Sequence, residues 1–233
     1  MDHFRIVLLG TFMLLAGCVS IQAVKDYSSY SRSTIESVHP VAKDFFSSCL
    51  RANSYKPLAS YSTCVSEQEA SKAILKVAGV LDAYGAALGA LASDELVDYK
   101  SDITALTEEV KKLKTFDEKK VDALGKLSNL IATAATSAYQ QKEVVKFVQS
   151  SNEAVITVSN ALAELVDTNY SEAITLEVSA WEDGYKRVER VERDSKPLEW
   201  EVYAKAQWQT RAELEGKLSA ARNLAQSIRG AST

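Results

Sequence analysis

The run SEQEASKAILKVAGVLDAYGAALGALAS, residues 66–93, decides the fold. Ser66 and Glu69 stand three apart, the spacing of a capping box, so Ser66 is the predicted N-cap of a helix. Ala73, Ile74, Val77, Ala78, Leu81, Tyr84, Leu88 and Leu91 then recur at steps of three and four, which places them on one helical face. The stretch has no proline, and neither does anything from Leu58 to Lys196. The whole chain of 233 residues has three Pro and nine Gly. A sandwich or barrel needs a turn at roughly every 8–12 residues and would carry many more breakers. A collagen-like or proline-rich chain is excluded as well. With 46% hydrophobic and 25% charged residues, neither disorder nor a fibrous class is favoured.

Upstream, a first helix is predicted from Tyr27 to Arg51. Pro40 removes one backbone donor and clashes with the preceding turn, so a kink or break falls near His39. Ser37 or His39 would start the second piece, with Val41, Phe45 and Cys49 on one side. Downstream, Ser93-Asp94-Glu95 begins another helix, whose seam is Leu96, Tyr99, Ile103, Leu106, Val110 and Leu113. Lys111, Lys112 and Lys114 suit its last turn. Thr115 and Glu118 form a second possible capping box, with Asp117 as the competing cap.

The apolar positions Leu124, Leu127, Ile131, Ala134, Ala138, Val145, Val148, Val155, Leu162 and Val166 keep one phase. They describe either one helix of about 50 residues, roughly 75 Å long, or two helices meeting at Ser150-Ser151-Asn152. Unbroken phase and the absence of Gly or Pro at that triplet favour the single helix. Asn169-Tyr170-Ser171 is a weaker interruption before Ile174, Val178, Trp181, Tyr185 and Val188. Asp194-Ser195-Lys196-Pro197 opens a last helix to Arg229, after which Gly230 to Thr233 fray. No period of 20–50 residues repeats, so a solenoid is not supported. The predicted class is all-α, an elongated antiparallel helical bundle with long coiled-coil-like helices.

The N-terminus is set apart from the fold. His3 and Arg5 precede an apolar run from Ile6 to Leu15, too short for a permanent span. Leu15-Ala16-Gly17-Cys18 follows. This order resembles the lipobox signal of bacterial lipoproteins and covers about the first 18 residues. The resemblance implies cleavage before Cys18, a diacylglyceryl group on its thiol, and an acylated (palmitate-type) N-terminus. Several chains anchor stably where one does not. Val19, rather than Asp, after the Cys resembles an outer-membrane address facing the periplasm in a Gram-negative envelope. The implied organisation is a signal peptide over 1–17, a lipidated tether over 18–26, and one helical-bundle domain over 27–233. Cleavage removes one charge of each sign and leaves the net charge at −4, which argues against nucleic acid as a partner.

Cys49 and Cys64 then remain as an even pair in an exported chain, the pattern of a disulfide. Closing about fifteen residues is worth roughly 3 kcal/mol in the chain-entropy model. A metal site is the weaker reading, since no CxxC and no further Cys or His completes four ligands. Tyr27, Tyr30, Tyr55 and Tyr61 could rest at a membrane interface or pack the disulfide loop.

No catalytic constellation is legible. His39 has no sequence neighbour to complete a triad. No GxSxG, HExxH, P-loop, EF-hand or GxGxxG is present. No catalytic residue, metal or cofactor is therefore expected, although an envelope hydrolase with an unrecognised site is carried as a minor reading. Gly85, Gly89 and Ser93 put small residues on one face for close helix packing. Lys76 and Asp82 within that helix favour a buried bundle helix over a membrane span. The charge-dense end flanked by aromatics, Tyr185, Arg187, Arg190, Trp200, Tyr203 and Trp208, is the candidate interaction tip. The function expected is a lipid-anchored, non-enzymatic interaction or scaffolding module of the cell envelope, with another envelope protein as partner. The alternative is a membrane-active helical protein, resembling helical pore-forming proteins, that inserts residues 74–91. The oligomeric state is left open.

Overall fold

The computed structural model describes residues 21–93, 116–134 and 141–232, and within them the chain is all-α. The helices are α1 (Ile21–Glu36), α2 (Val38–Ser54), α3 (Val65–Ser93), α4 (Glu118–Ala134), α5 (Gln141–Glu164), α6 (Ser171–Glu192) and α7 (Pro197–Gly230). A short 3₁₀ turn, Leu58–Ser60, lies between α2 and α3, and a π segment, Leu165–Tyr170, joins α5 to α6. The lipobox with Cys18, the Leu96–Leu113 seam and Ala138 lie outside the described residues.

Helix α3 is the hub. Ile74, Val77, Leu81 and Leu88 are buried in one core with Leu124, Leu127, Ile131, Val158, Leu162, Ile174, Leu214 and Ile228. All eight of its predicted apolar positions are buried. It is the one helix among the described residues long and apolar enough to cross a membrane, and 56% of its apolar window is buried. Its Gly85–Gly89 face is occupied by α1. The Ser28 hydroxyl donates to the Gly85 carbonyl at 2.7 Å, and Arg32 pairs with Asp82 at 2.9 Å. A Cβ on Gly89 would stand 2.7 Å from Ser28 Oγ. Insertion of α3 into a bilayer would therefore require α1 to leave. Gly89→Val is expected to cost about 1–3 kcal/mol by overpacking, read from denaturant melts. A loss no larger than that of a surface substitution would contradict the close approach.

Several boundaries differ from the sequence reading. Helix α1 begins at Ile21, not Tyr27, because Val24, Ser28, Ser31 and Ile35 form a buried stripe. The predicted tether therefore loses residues 21–26 to the bundle. The break expected near His39 is there, at Ser37, the first of the two starts considered, and it leaves Pro40 in the first turn of α2. A missing N–H costs least there. Ser66 is not the cap of α3. The helix begins at Val65, the Cys64 carbonyl accepts from Gln68 N–H at 3.1 Å, and the Ser66 hydroxyl bonds to Glu67. The chain entry is set by Cys64, which the disulfide fixes.

Asp117 caps α4, accepting from the Lys120 backbone N–H at 2.9 Å, while Thr115 lies outside the described residues. Asp117→Ala is expected to lower stability by about 1 kcal/mol, measured as a shift in the denaturation midpoint. No shift at all would assign the cap elsewhere.

The single helix over 117–167 is overturned, and so is the break at Ser150. Lys120 Nζ lies 2.8 Å from Glu164 Oε2, although 44 residues separate them. A straight helix would hold them roughly 66 Å apart. Lys126 likewise meets Glu153 at 3.9 Å. So α4 and α5 fold back on one another, and Ser150–Asn152 lies within α5. A long helical run does exist, displaced along the chain from Gln141 to Glu192, and Asn169-Tyr170-Ser171 marks the end of its π segment. At the C-terminus Ala231 and Ser232 are buried rather than frayed, and the Tyr27 hydroxyl donates to the Ala231 carbonyl at 2.7 Å. Burial pushes that phenol up to about 12, with the nearby Tyr84 as a second cause.

Candidate interaction surface

Helices α6 and α7 form a hairpin turned by residues 193–196, and Pro197 occupies the first position of α7. The Ser195 hydroxyl turns back to the Val191 carbonyl at 2.9 Å, closing the end of α6. Trp181 and Tyr185 are four apart on α6 and stack at 5.5 Å. Tyr185 also meets Trp200 at 5.2 Å, Tyr203 at 6.3 Å and Trp208 at 6.1 Å. Trp208 lies edge-on to Trp181 at 6.0 Å. Five rings thus form one cluster around Tyr185. The indole N–H of Trp181 donates to Gln207 at 2.8 Å, and the Arg211 guanidinium sits 5.5 Å over its ring. Arg211 is held there by Glu182 and Glu215. Burial pushes the Tyr203 phenol up, with Tyr185 beside it.

The structure therefore brings together Tyr185, Trp200, Tyr203 and Trp208 of the predicted tip. It adds Trp181, whose i,i+4 spacing to Tyr185 was the available signal. Arg187 turns instead to the α2–α3 loop, where it donates to the Tyr55 carbonyl. Arg190 lies on the exposed face with Lys186, with no ring contact among the described residues. Trp208 is 57% exposed, and Val191, Leu198 and Val202 are more exposed still. This end of the hairpin is one of the apolar surfaces that the described residues leave open, Leu58 and Val65 at the α2–α3 loop being exposed as well. Tyr55, one of the four N-terminal tyrosines, packs against Gly184 at its base.

Below the cluster lies an ionic network that the sequence did not announce. Arg51 on α2 donates Nε to Glu177 Oε1 at 2.6 Å and Nη2 to Oε2 at 2.9 Å. It also grips Asp44 at 2.8 and 3.1 Å. Lys217 on α7 reaches Asp44 at 2.9 Å, and the Tyr170 hydroxyl donates to it at 2.7 Å. Glu177 is 1% exposed. Burial pushes the Asp44 carboxyl up, but hydrogen bonds from Arg51, Lys217 and Tyr170 outweigh it and bring the carboxyl down to about 2. Burial and the bond to Asp44 push the Tyr170 phenol well up.

A depressed carboxylate stabilises the fold above its unfolded value of about 3.9, and that contribution is lost as pH falls toward 2. Asp44→Asn is therefore expected to be less stable than wild type at pH 7, with the difference shrinking between about pH 4 and pH 2. Melts across that range that stay parallel would contradict this.

The remaining sites place as follows. Cys49 and Cys64 are disulfide-bonded, with Cα atoms 5.8 Å apart. Glu67 lies close to both sulfurs, but the bond between them leaves no thiolate for a metal. His39 is exposed on the rim of a groove with Arg32, Glu36 and Asp82. A groove of about 950 Å³ along α4 and α5 has no His, Cys, Ser or Tyr in its lining. Set against protein-family models, curated proteins and solved structures, the chain matches none of them.

Proposed function

We propose that this is a lipid-anchored cell-envelope protein, held by acyl chains on Cys18, that acts without catalysis by presenting the α6–α7 hairpin to another envelope protein. The observation that carries the reading is the five-ring cluster around Tyr185, whose Trp208 is exposed, on a hairpin that also exposes Val191, Leu198 and Val202. Tyr and Trp beside Arg are the residue types of interface hot spots. The lipobox spacing of Leu15-Ala16-Gly17-Cys18 supports the anchor, and the Cys49–Cys64 bond suits an oxidising exported compartment. An outer-membrane address facing the periplasm follows from Val19.

We read the shape as an elongated antiparallel bundle with coiled-coil-like helices. The pairs Asp167–Arg229, Glu182–Arg211 and Trp181–Gln207 support opposed directions for the long run and α7. Tyr27 meets Ala231 at one end of α7, while Pro197 opens the other. The 34 residues of α7 then carry the hairpin about 50 Å from the anchored end.

The test is photocrosslinking in intact cells from position 202 at the tip, compared with position 222 on the far part of α7. An adduct with one envelope protein from 202 alone is the expected result. Adducts from both positions or from neither would sink the docking reading. Cys18→Ser is expected to move the protein from the membrane to the soluble fraction, and retention in the membrane would refute the anchor.

A further inference from the structure

Between the start of α3 and the start of α6 lies a groove of about 370 Å³. Phe45, Ala173 and Leu176 make its apolar part, and Glu67, Glu69 and Glu172 stand around them. Phe45 is buried and meets the Tyr170 ring at 5.9 Å, so the core holds that floor in place. Leu176 is 58% exposed although it borders this concave surface. A lone exposed leucine needs no explanation. One beside a groove that opens onto a buried phenylalanine is an apolar contact left unfilled.

The charges around the groove are of one sign. No lysine or arginine lines it, and no ion pair to Glu67, Glu69 or Glu172 occurs among the described residues. Glu67 accepts from the Ser66 hydroxyl at 2.9 Å, a neutral donor that leaves its charge in place. Glu67 also stands in the first turn of α3, where the helix dipole favours a carboxylate. Glu69 lies beyond that turn. Glu172 is in the first turn of α6, but Tyr170 before it is helical too, so no open helix start awaits a carboxylate there. Like charges gathered without a cation destabilise the compact state by repulsion.

We propose that this groove docks a basic amphipathic segment of a partner protein, one that carries a lysine or arginine beside an aliphatic side chain. The aliphatic group lies on Phe45, Ala173 and Leu176, and the cation meets Glu69 and Glu172. The acidic rim repels an anionic lipid surface and the phosphates of nucleic acid alike. Ligand sites run from roughly 300 to 1,000 Å³, and this groove lies near the lower end. It therefore takes the side chains of about one helical turn rather than a whole helix, as a helix laid along a groove offers them. Leu176 is about 22 Å along α6 from Val191, so the groove is separate from the hairpin tip. It stands without the docking reading of that tip and without the lipid anchor.

The experiment titrates the full-length protein into two fluorescein-labelled helical peptides, one of leucine and lysine and one of leucine and glutamate in the same pattern. Fluorescence anisotropy reads the binding. The leucine–lysine peptide is expected to bind saturably and the leucine–glutamate peptide not to bind. Glu69→Gln with Glu172→Gln should weaken the first peptide about tenfold and flatten its salt dependence. Leu176→Ala should weaken it about threefold with the salt dependence kept. The charge-matched control is Glu199→Gln with Glu201→Gln, on the exposed start of α7, which should leave the affinity unchanged. Thermal melts establish that each variant is folded. Equal weakening by the two double variants would make the binding a matter of net charge and overturn the groove. So would no saturable binding of the leucine–lysine peptide, or binding that Leu176→Ala leaves untouched.

Discussion

Replacing Arg51 with alanine is expected to lower folding stability by about 3 kcal/mol, the low end of the range for breaking a buried ion pair. Glu177 is the reason. Its carboxylate is 1% exposed and receives two parallel bonds from one guanidinium. Removing Arg51 leaves a buried charge without its cation. The low end applies because the Arg51 side chain is itself 34% exposed, so some water reaches the pair. Arg51→Lys should fall between the two, since an ammonium cannot make the fork. Removing both partners, as Arg51→Met with Glu177→Leu, should restore most of the loss, because no unpaired charge remains. Denaturant melts of the four proteins read these differences directly. A loss under about 1 kcal/mol for Arg51→Ala would place the pair among weak surface bridges.

Ile74→Ala should cost a similar amount, about 3 kcal/mol, from lost transfer energy and the cavity left behind. Ile74 has no exposed surface and lies in the third turn of α3, which packs on α1, α2, α4 and α5. Leu176→Ala is the matched control. Leu176 is 58% exposed on α6, and its removal should change stability by no more than about 0.5 kcal/mol. Equal losses at the two positions would remove α3 from the centre of the fold.

The two substitutions also separate what was legible in the sequence from what was not. The burial of Ile74 was readable because the 3–4 pattern runs the full length of α3. The disulfide and the opening of α7 at Pro197 were readable from residue type and punctuation alone. The reversal between α4 and α5 was not. Both helices carry the same apolar phase, so a seam shared by two helices looks like one helix. The cap at Ser66 failed because the helix begins one residue earlier, at Val65, where the disulfide-bonded Cys64 offers its carbonyl to Gln68. The ionic network was invisible for another reason. Arg51 and Glu177 are 126 residues apart, and Lys217 and Asp44 are 173 apart. No local pattern links them. The tip aromatics were found because they crowd a short stretch around Pro197, whereas the turning of Arg187 toward Tyr55 depended on a glycine whose purpose only the fold reveals.

The π segment from Leu165 to Tyr170 makes the register of the long run a matter of residue count. Its wider turn accommodates one more residue than an α-helix would. Below it the run faces α3, α4 and α7, and above it the run faces α2 and α7. Deleting a single residue from that segment would let it close to ordinary α-helix. Everything beyond would then keep its facing, because the six residues of the segment turn about as far as five in an α-helix. Glu177 would stay toward Arg51 and Trp181 toward Gln207. For this bundle, length tolerance is therefore position-dependent. A residue lost from 165–170 is absorbed by the wider turn, whereas one lost between Ser171 and Glu177 would turn everything beyond it by about 100°.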